Sequence, residues 1–172
     1  RAIFAARYPG AVRLAVVSGL SLAEAQDCAQ EAFIQAFERR TQLRDPQAFP
    51  LWFHRIVTRH ILDALAAPRR QREASLDNMV ELAWQPAPGA APDELAELAQ
   101  QRDEIWAWVR ALPPRYRVPL ALRYFGGFSV REVADLLGTR EGTVRVTLHR
   151  ALAHLRTLRA DATPRQHAPS QP

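Results

Sequence analysis

Residues Leu112 to Arg156 read LPPRYRVPLALRYFGGFSVREVADLLGTREGTVRVTLHRALAHLR, and the reading of this stretch decides the fold. Ser129 and Glu132 stand at S-x-x-E spacing. This is a capping box, in which the serine oxygen accepts from a free first-turn N–H and the glutamate reaches back to the cap. The pattern predicts that a helix starts there. Val130, Val133, Ala134 and Leu137 follow at the i, i+3, i+4, i+7 spacing of one buried face, and Gly138 suits a left-handed residue at the helix end. Thr139 is expected to cap a second helix, on which Val144, Leu148, Ala151, Leu152 and Leu155 form a stripe facing the first. Two short amphipathic helices joined by a turn containing glycine make a helix-turn-helix.

In such a unit the second helix lies in the major groove and its N-terminal half meets base edges. Phasing at roughly 100° per residue sets Gly142, Val146 and His149 opposite the buried stripe, with Thr143, Arg145 and Arg150 on its flanks. Arg145 suits a guanine edge or a phosphate, Glu141 a cytosine amine, and Thr143 or Val146 a thymine methyl. Arg140 and Arg150 suit phosphates, which position a domain without reading sequence. The competing reading is an ordinary helical hairpin with a solvated basic face.

The chain has 172 residues, 48% of them hydrophobic, which is enough for one domain or two small ones with real cores. Its formal net charge is +5, and all 23 basic residues apart from histidine are arginine. That balance suits a phosphate-rich partner, while 18 acidic residues argue against a purely electrostatic coat on DNA. Cys28 is the sole cysteine, which excludes an intrachain disulfide and the paired cysteines of a zinc site. The sequence offers no metal-ligand spacing, no glycine-rich phosphate loop and no nucleophile beside a plausible base, so neither cofactor nor catalysis is expected. No apolar run approaches the roughly 20 residues of a membrane span and no signal peptide opens the chain, so a cytoplasmic protein without membrane insertion is expected. The start at Arg1, with Met79 the sole methionine, suggests that a preceding N-terminal piece is missing.

Upstream, residues 2–19 carry apolar positions at helical spacing, interrupted by Pro9-Gly10. Ser21 and Glu24 form another capping box, opening a helix to about Arg40. Ala29, Ala32, Phe33, Ala36 and Phe37 cluster on one face of it and are expected in the core. Asp27, Glu31 and Glu38 share the exposed side, with Ile34 among them and Gln30 beside them. An acidic stripe around an aliphatic residue suits a basic, partly apolar partner helix, although a merely solvated face has the same pattern. Asp45-Pro46 signals a further helix to about Ala67, in which Phe49, Trp52 and Phe53 alternate with His54, Arg55, Arg59 and His60. Aromatic rings mixed with cations suit single-stranded nucleic acid; a core helix with a basic outer face is the alternative.

The stretch from Leu112 resembles the promoter-reading C-terminal domain of bacterial extracytoplasmic-function sigma factors, in the LPPR opening, the LRYFGGFS connector and the EGTVR start of the recognition helix. Val146-Thr147 stand where that family commonly has Ser-Arg. EAQDCAQEAFIQAF is similar to the helix of sigma region two that docks on the clamp helices of the largest catalytic RNA polymerase subunit, with Asp27, Gln30, Glu31 and Phe33 matching its D-x-x-Q-E-x-F core. The resemblance thus implies a polymerase-binding set of Asp27, Gln30, Glu31 and Ile34. FPLWFHRIVTRHILDAL resembles the family's W-L-Y-R-I-A-R-N-x-x-x-D helix, which lies against the melted downstream element; Trp52, Arg55, Ile56 and Asp63 match, and Thr58-Arg59 replaces Arg-Asn. Promoter melting is accordingly expected of Trp52, Arg55, Arg59 and His60, and upstream-element binding of Arg140, Glu141, Thr143, Arg145, Val146, His149 and Arg150.

The expected fold is all-α: two small helical domains joined by a flexible linker, the C-terminal one a helix-turn-helix. Residues 1–67 correspond to sigma region two, 68–92 to the linker, 93–159 to region four and 160–172 to a disordered tail. Val80, Leu82 and Trp84 in the linker are apolar enough to dock on a neighbour, and Leu95, Leu98, Ile105, Trp106 and Val109 are expected to be buried. The implied partners are core RNA polymerase and promoter DNA, with room for an anti-sigma factor. A helix-turn-helix regulator acting without polymerase docking is the alternative function.

Overall fold

The computed structural model describes residues 2–67 and 103–162, with side chains from residue 7 onward. The linker, Leu95, Leu98 and residues 163–172 of the tail lie outside the described residues, whereas residues 160–162, expected in the disordered tail, are helical. The N-terminal part comprises α1 (Ala2–Ser18), α2 (Leu22–Glu38) and α3 (Phe49–Ala66), with two 3-10 turns, Arg40–Gln42 and Pro46–Ala48, between the last two. The C-terminal part comprises α4 over residues 103–111, α5 (Pro114–Leu120), a π-helical turn Ala121–Phe125, α6 (Val130–Leu137) and α7 (Glu141–Ala162). The described residues form no strand.

Helix α1 runs unbroken through Pro9, where the sequence suggested an interruption. Proline removes one backbone bond inside a helix, but Ala11, Val12, Leu14, Ala15, Val16 and Val17 are all buried, and their packing outweighs the loss. A helix apolar almost all round must be covered on several sides. Here α2 and α3 cover it from one direction, and α5 with the π turn from another. The two helical groups therefore share one continuous core instead of standing apart. Gly19 ends α1 with φ +115°, a conformation open to glycine, and any side chain there would meet the Arg117 guanidinium of α5. Arg117 is itself buried, and its Nε and Nη2 donate to the Leu112 carbonyl at 3.2 and 2.7 Å.

Helix α2 opens with the expected box: Ser21 Oγ accepts from the Glu24 N–H at 3.3 Å, and Glu24 Oε2 accepts from the Ser21 N–H at 2.8 Å. Its buried line is Ala25, Cys28, Ala29, Ala32 and Ala36, a seam of small residues that lets neighbouring helices approach closely. Phe37 departs from expectation, because it is 68% exposed. Phe33 still reaches the core, 4.5 Å between ring centroids from Phe53 of α3, but one turn later none of the described helices covers Phe37. Asp45 caps the 3-10 turn through its Oδ1, which accepts from the Gln47 N–H at 2.9 Å, and α3 itself begins only at Phe49.

The helix-turn-helix forms as the sequence predicts. Ser129 and Glu132 make both capping-box bonds, and Ser129's hydrogen bonds hold the Glu132 carboxyl below its ordinary pKa. Gly138 takes the left-handed conformation, φ 63° and ψ 36°. Helix α7 begins at Glu141, one residue later than a Thr139 cap would place it. Val144, Leu148 and Ala151 are buried and Leu152 and Leu155 partly so, while α6 buries Val133, Ala134 and, off the predicted stripe, Leu136. On α4, Trp106 and Val109 are buried but Ile105 is 51% exposed, which corrects its assignment to the core.

His54 of α3 sits between the two groups, its ring edge-on to Phe128 at 4.9 Å. Burial, and secondarily the Arg7 charge, push its pKa down from 6.5 to about 4. Between those pH values the unfolded chain binds a proton that the folded chain refuses, so stability falls as pH drops through this window and is unaffected above it. The expected loss is about 2 to 3 kcal/mol by pH 4, and His54→Phe should flatten that part of a stability profile measured by denaturant titration.

Candidate functional site

Three surfaces carry the residues singled out by sequence. The first is the outer side of α2. Asp27, Gln30, Glu31 and Glu38 are exposed, Ile34 is 60% exposed, and the exposed Phe37 joins them. Gln30, Phe33, Ile34, Phe37 and Glu38 line a groove of about 590 Å³. The Arg40 guanidinium lies 4.4 Å from the Phe37 ring centroid and donates to the Phe37 carbonyl at 2.9 Å, which fixes one edge of the groove. Phe37 was missed as a surface residue because an aromatic in phase with a core stripe reads as core. Cys28, beneath this surface, is inert: burial, aided by Glu31, pushes its thiol up to about 12.

The second surface is a cleft of about 690 Å³ between the two helical groups. Arg39, Trp52, Arg55 and Arg59 line it from α3 and the end of α2, and Asp135, Leu136, Leu137 and Gly138 of the helix-turn-helix form the opposite wall. Trp52 is half-buried, 6.1 Å from Phe49 ring to ring, and Arg55 is exposed. Arg59 pairs with Asp63 one turn on, Nε to Oδ2 at 3.0 Å. His60 is not brought to this cleft. Its ring turns toward α2, with Nδ1 3.4 Å from Glu31 Oε2.

The third surface is the start of α7. Arg140, Gly142, Thr143, Arg145, Val146, His149 and Arg150 are all exposed, and Val146 presents an apolar face at 50% exposure. Arg145 Nη2 lies 2.8 Å from Glu141 Oε2, so the guanidinium and the carboxylate proposed to read bases are held side by side. Thr147 instead turns back along the helix and donates to the Thr143 carbonyl at 2.8 Å. Among the described residues no cluster of His, Cys, Asp or Glu could hold a metal, and no helix is long and apolar enough to cross a membrane.

The exposed start of α7, an arginine-lined aromatic cleft and an acidic, apolar groove are three distinct surfaces, and their chemistry suits nucleic acid and a protein partner. Comparison with known proteins gives the class: residues 3–71 match Sigma-70 region 2 and residues 102–155 match Sigma-70, region 4. The RNA polymerase sigma-H factor of Pseudomonas aeruginosa is 36% identical over 133 residues, covering 74% of this chain and 69% of its own length. The ECF RNA polymerase sigma factor SigE of Mycolicibacterium smegmatis is 32% identical over 133 residues, covering 77% of this chain; the chain spans only about half (51%) of that relative. SigW of Bacillus subtilis, also an ECF sigma factor, is 27% identical, with 77% and 74% covered. The sigma factor RpoE of Bartonella quintana, solved in complex with the anti-sigma factor NepR, superposes with a TM-score of 0.64 at 17% identity, over 93% of this chain and 96% of that one; this likeness speaks for the fold. The chain belongs to the extracytoplasmic-function sigma factors of the sigma-70 family.

Proposed function

We propose that this chain docks on core RNA polymerase through the outer face of α2, reads an upstream promoter element with α7, and engages the melted downstream element with α3. Residues 1–67 and 93–159 are the two functional regions, and 68–92 connects them. The carrying observation is the coexistence of the exposed α7 start with the α2 groove, in which Ile34 and Phe37 lie exposed among carboxylates. A regulator without polymerase docking gives no reason to leave those two apolar side chains in water beside Asp27, Glu31 and Glu38. Trp52, Arg55 and Arg59 form the single-strand surface, the indole for stacking and the arginines for the backbone. Work on DNA-bound polymerase supports a cytoplasmic location. The complex of the Bartonella quintana relative with NepR supports an anti-sigma factor as a further partner.

Two arginines on α7 are expected to fail in different ways. Arg145→Ala should relax preference at one base position, costing roughly 1 to 3 kcal/mol of discrimination. Arg150→Ala should weaken binding to all sequences alike and lower the salt slope by about one. Holoenzyme binding to a promoter library at two salt concentrations separates them. Uniform losses from both variants would make Arg145 a phosphate clamp and leave base readout to Glu141, Thr143 and Val146.

A further inference from the structure

His60 and Arg59 are adjacent on α3, yet a helix turns about 100° between neighbours, so they serve different faces. Arg59 has a side chain 77% exposed and borders the cleft with Trp52 and Arg55. The His60 side chain is only 23% exposed, and its Nε2 is buried without a hydrogen-bond partner. Its Nδ1 stands within ion-pair distance, 3.4 Å, of Glu31 Oε2 on α2, and that carboxylate side chain is 67% exposed. The ring is thus held by burial at one end and meets the docking stripe at the other.

We propose that His60 is a positioning residue for polymerase docking, holding Glu31 in its binding rotamer, and makes no contact with nucleic acid. The inference rests on the reading of α2 as the docking surface. A glutamate on an open helix face loses side-chain freedom when a partner captures it, and a fixed neighbour removes part of that cost beforehand. With a proton on Nδ1 the imidazole presents an N–H dipole that orients the carboxylate. Because the Glu31 carboxylate is largely solvated, the gain is modest, about two- to fivefold in affinity. The pair also straps α2 to α3 between the polymerase-facing surface and the helix that carries the single-strand surface.

The test measures affinity of the full chain for core RNA polymerase with His60→Leu, which removes Nδ1, and His60→Asn, whose amide nitrogen takes nearly the Nδ1 position. Each is made in the parent and in a Glu31→Ala background, with thermal midpoints recorded to verify folding. The expected result is a two- to fivefold loss for His60→Leu, near-parent affinity for His60→Asn, and no difference between the two when Glu31 is absent. Open-complex formation at saturating polymerase should be unchanged by His60→Leu. Parent affinity in His60→Leu, an equal loss with and without Glu31, or a melting defect with intact docking each overturns the inference. If Glu31→Ala itself leaves affinity unchanged, the docking role of Glu31 fails first; if Glu31→Ala weakens binding and His60→Leu does not, only the role of His60 fails.

Discussion

Asp27→Arg combined with Glu31→Arg is expected to weaken binding to core RNA polymerase on the order of a hundredfold or more while leaving the helices intact. Both side chains are exposed, and neither lies in the alanine seam that packs α2 onto its neighbours. Folding therefore has little to lose. A docking partner with a basic face would meet like charge in place of opposite charge, which at a docking surface costs several kcal/mol, and every 1.4 kcal/mol is tenfold. Phe37→Ala should add a separate loss by removing the apolar wall of the groove that Arg40 flanks. Circular dichroism and a polymerase-binding titration together check the prediction. Unchanged affinity with retained helicity would remove α2 as the docking helix.

Phe53→Ala is expected to cost about 3 to 5 kcal/mol of stability, enough to unfold much of a small domain. Phe53 is fully buried, with Phe33 of α2 at 4.5 Å and Phe49 stacked at 5.7 Å between centroids. Its neighbour His54 carries the contact to Phe128 of the C-terminal group. The cavity would open between α2 and α3, beside the Phe33 ring. Urea titration of the variant gives the number directly. Trp52→Ala, at the half-exposed neighbouring position, should cost clearly less stability.

Where local chemistry settles the outcome, sequence alone was enough. The two capping boxes, the glycine end of α6 and the buried stripe of α7 each depend on residues within one or two turns, and each formed as read. Misplaced residues depended on what another element covers. Phe37 and Ile105 lie at helical spacing with core residues, but periodicity does not tell how far a neighbouring helix extends. The apolar surround of α1 was present in AVRLAVVSGL, yet its consequence, one core shared by both helical groups, needed the placement of α5 and the π turn. His54 and His60 read among the aromatic and basic residues of a single-strand surface, with His60 in the expected melting set, whereas one is pressed against Phe128 and the other turned to Glu31. The recognition-helix candidates were legible as a set because they lie opposite a strong stripe. The pairing of Arg145 with Glu141 followed from their i, i+4 spacing without being foreseen.

The most direct test of the sigma reading mixes the purified chain with core RNA polymerase and a promoter library, then scores complex formation and transcript start sites. The account predicts a stable complex, transcripts from a narrow set of sequences absent with core enzyme alone, and permanganate-reactive thymines just upstream of each start. Sequence-specific DNA binding by the chain, with no association with core enzyme and no new transcripts, would contradict it.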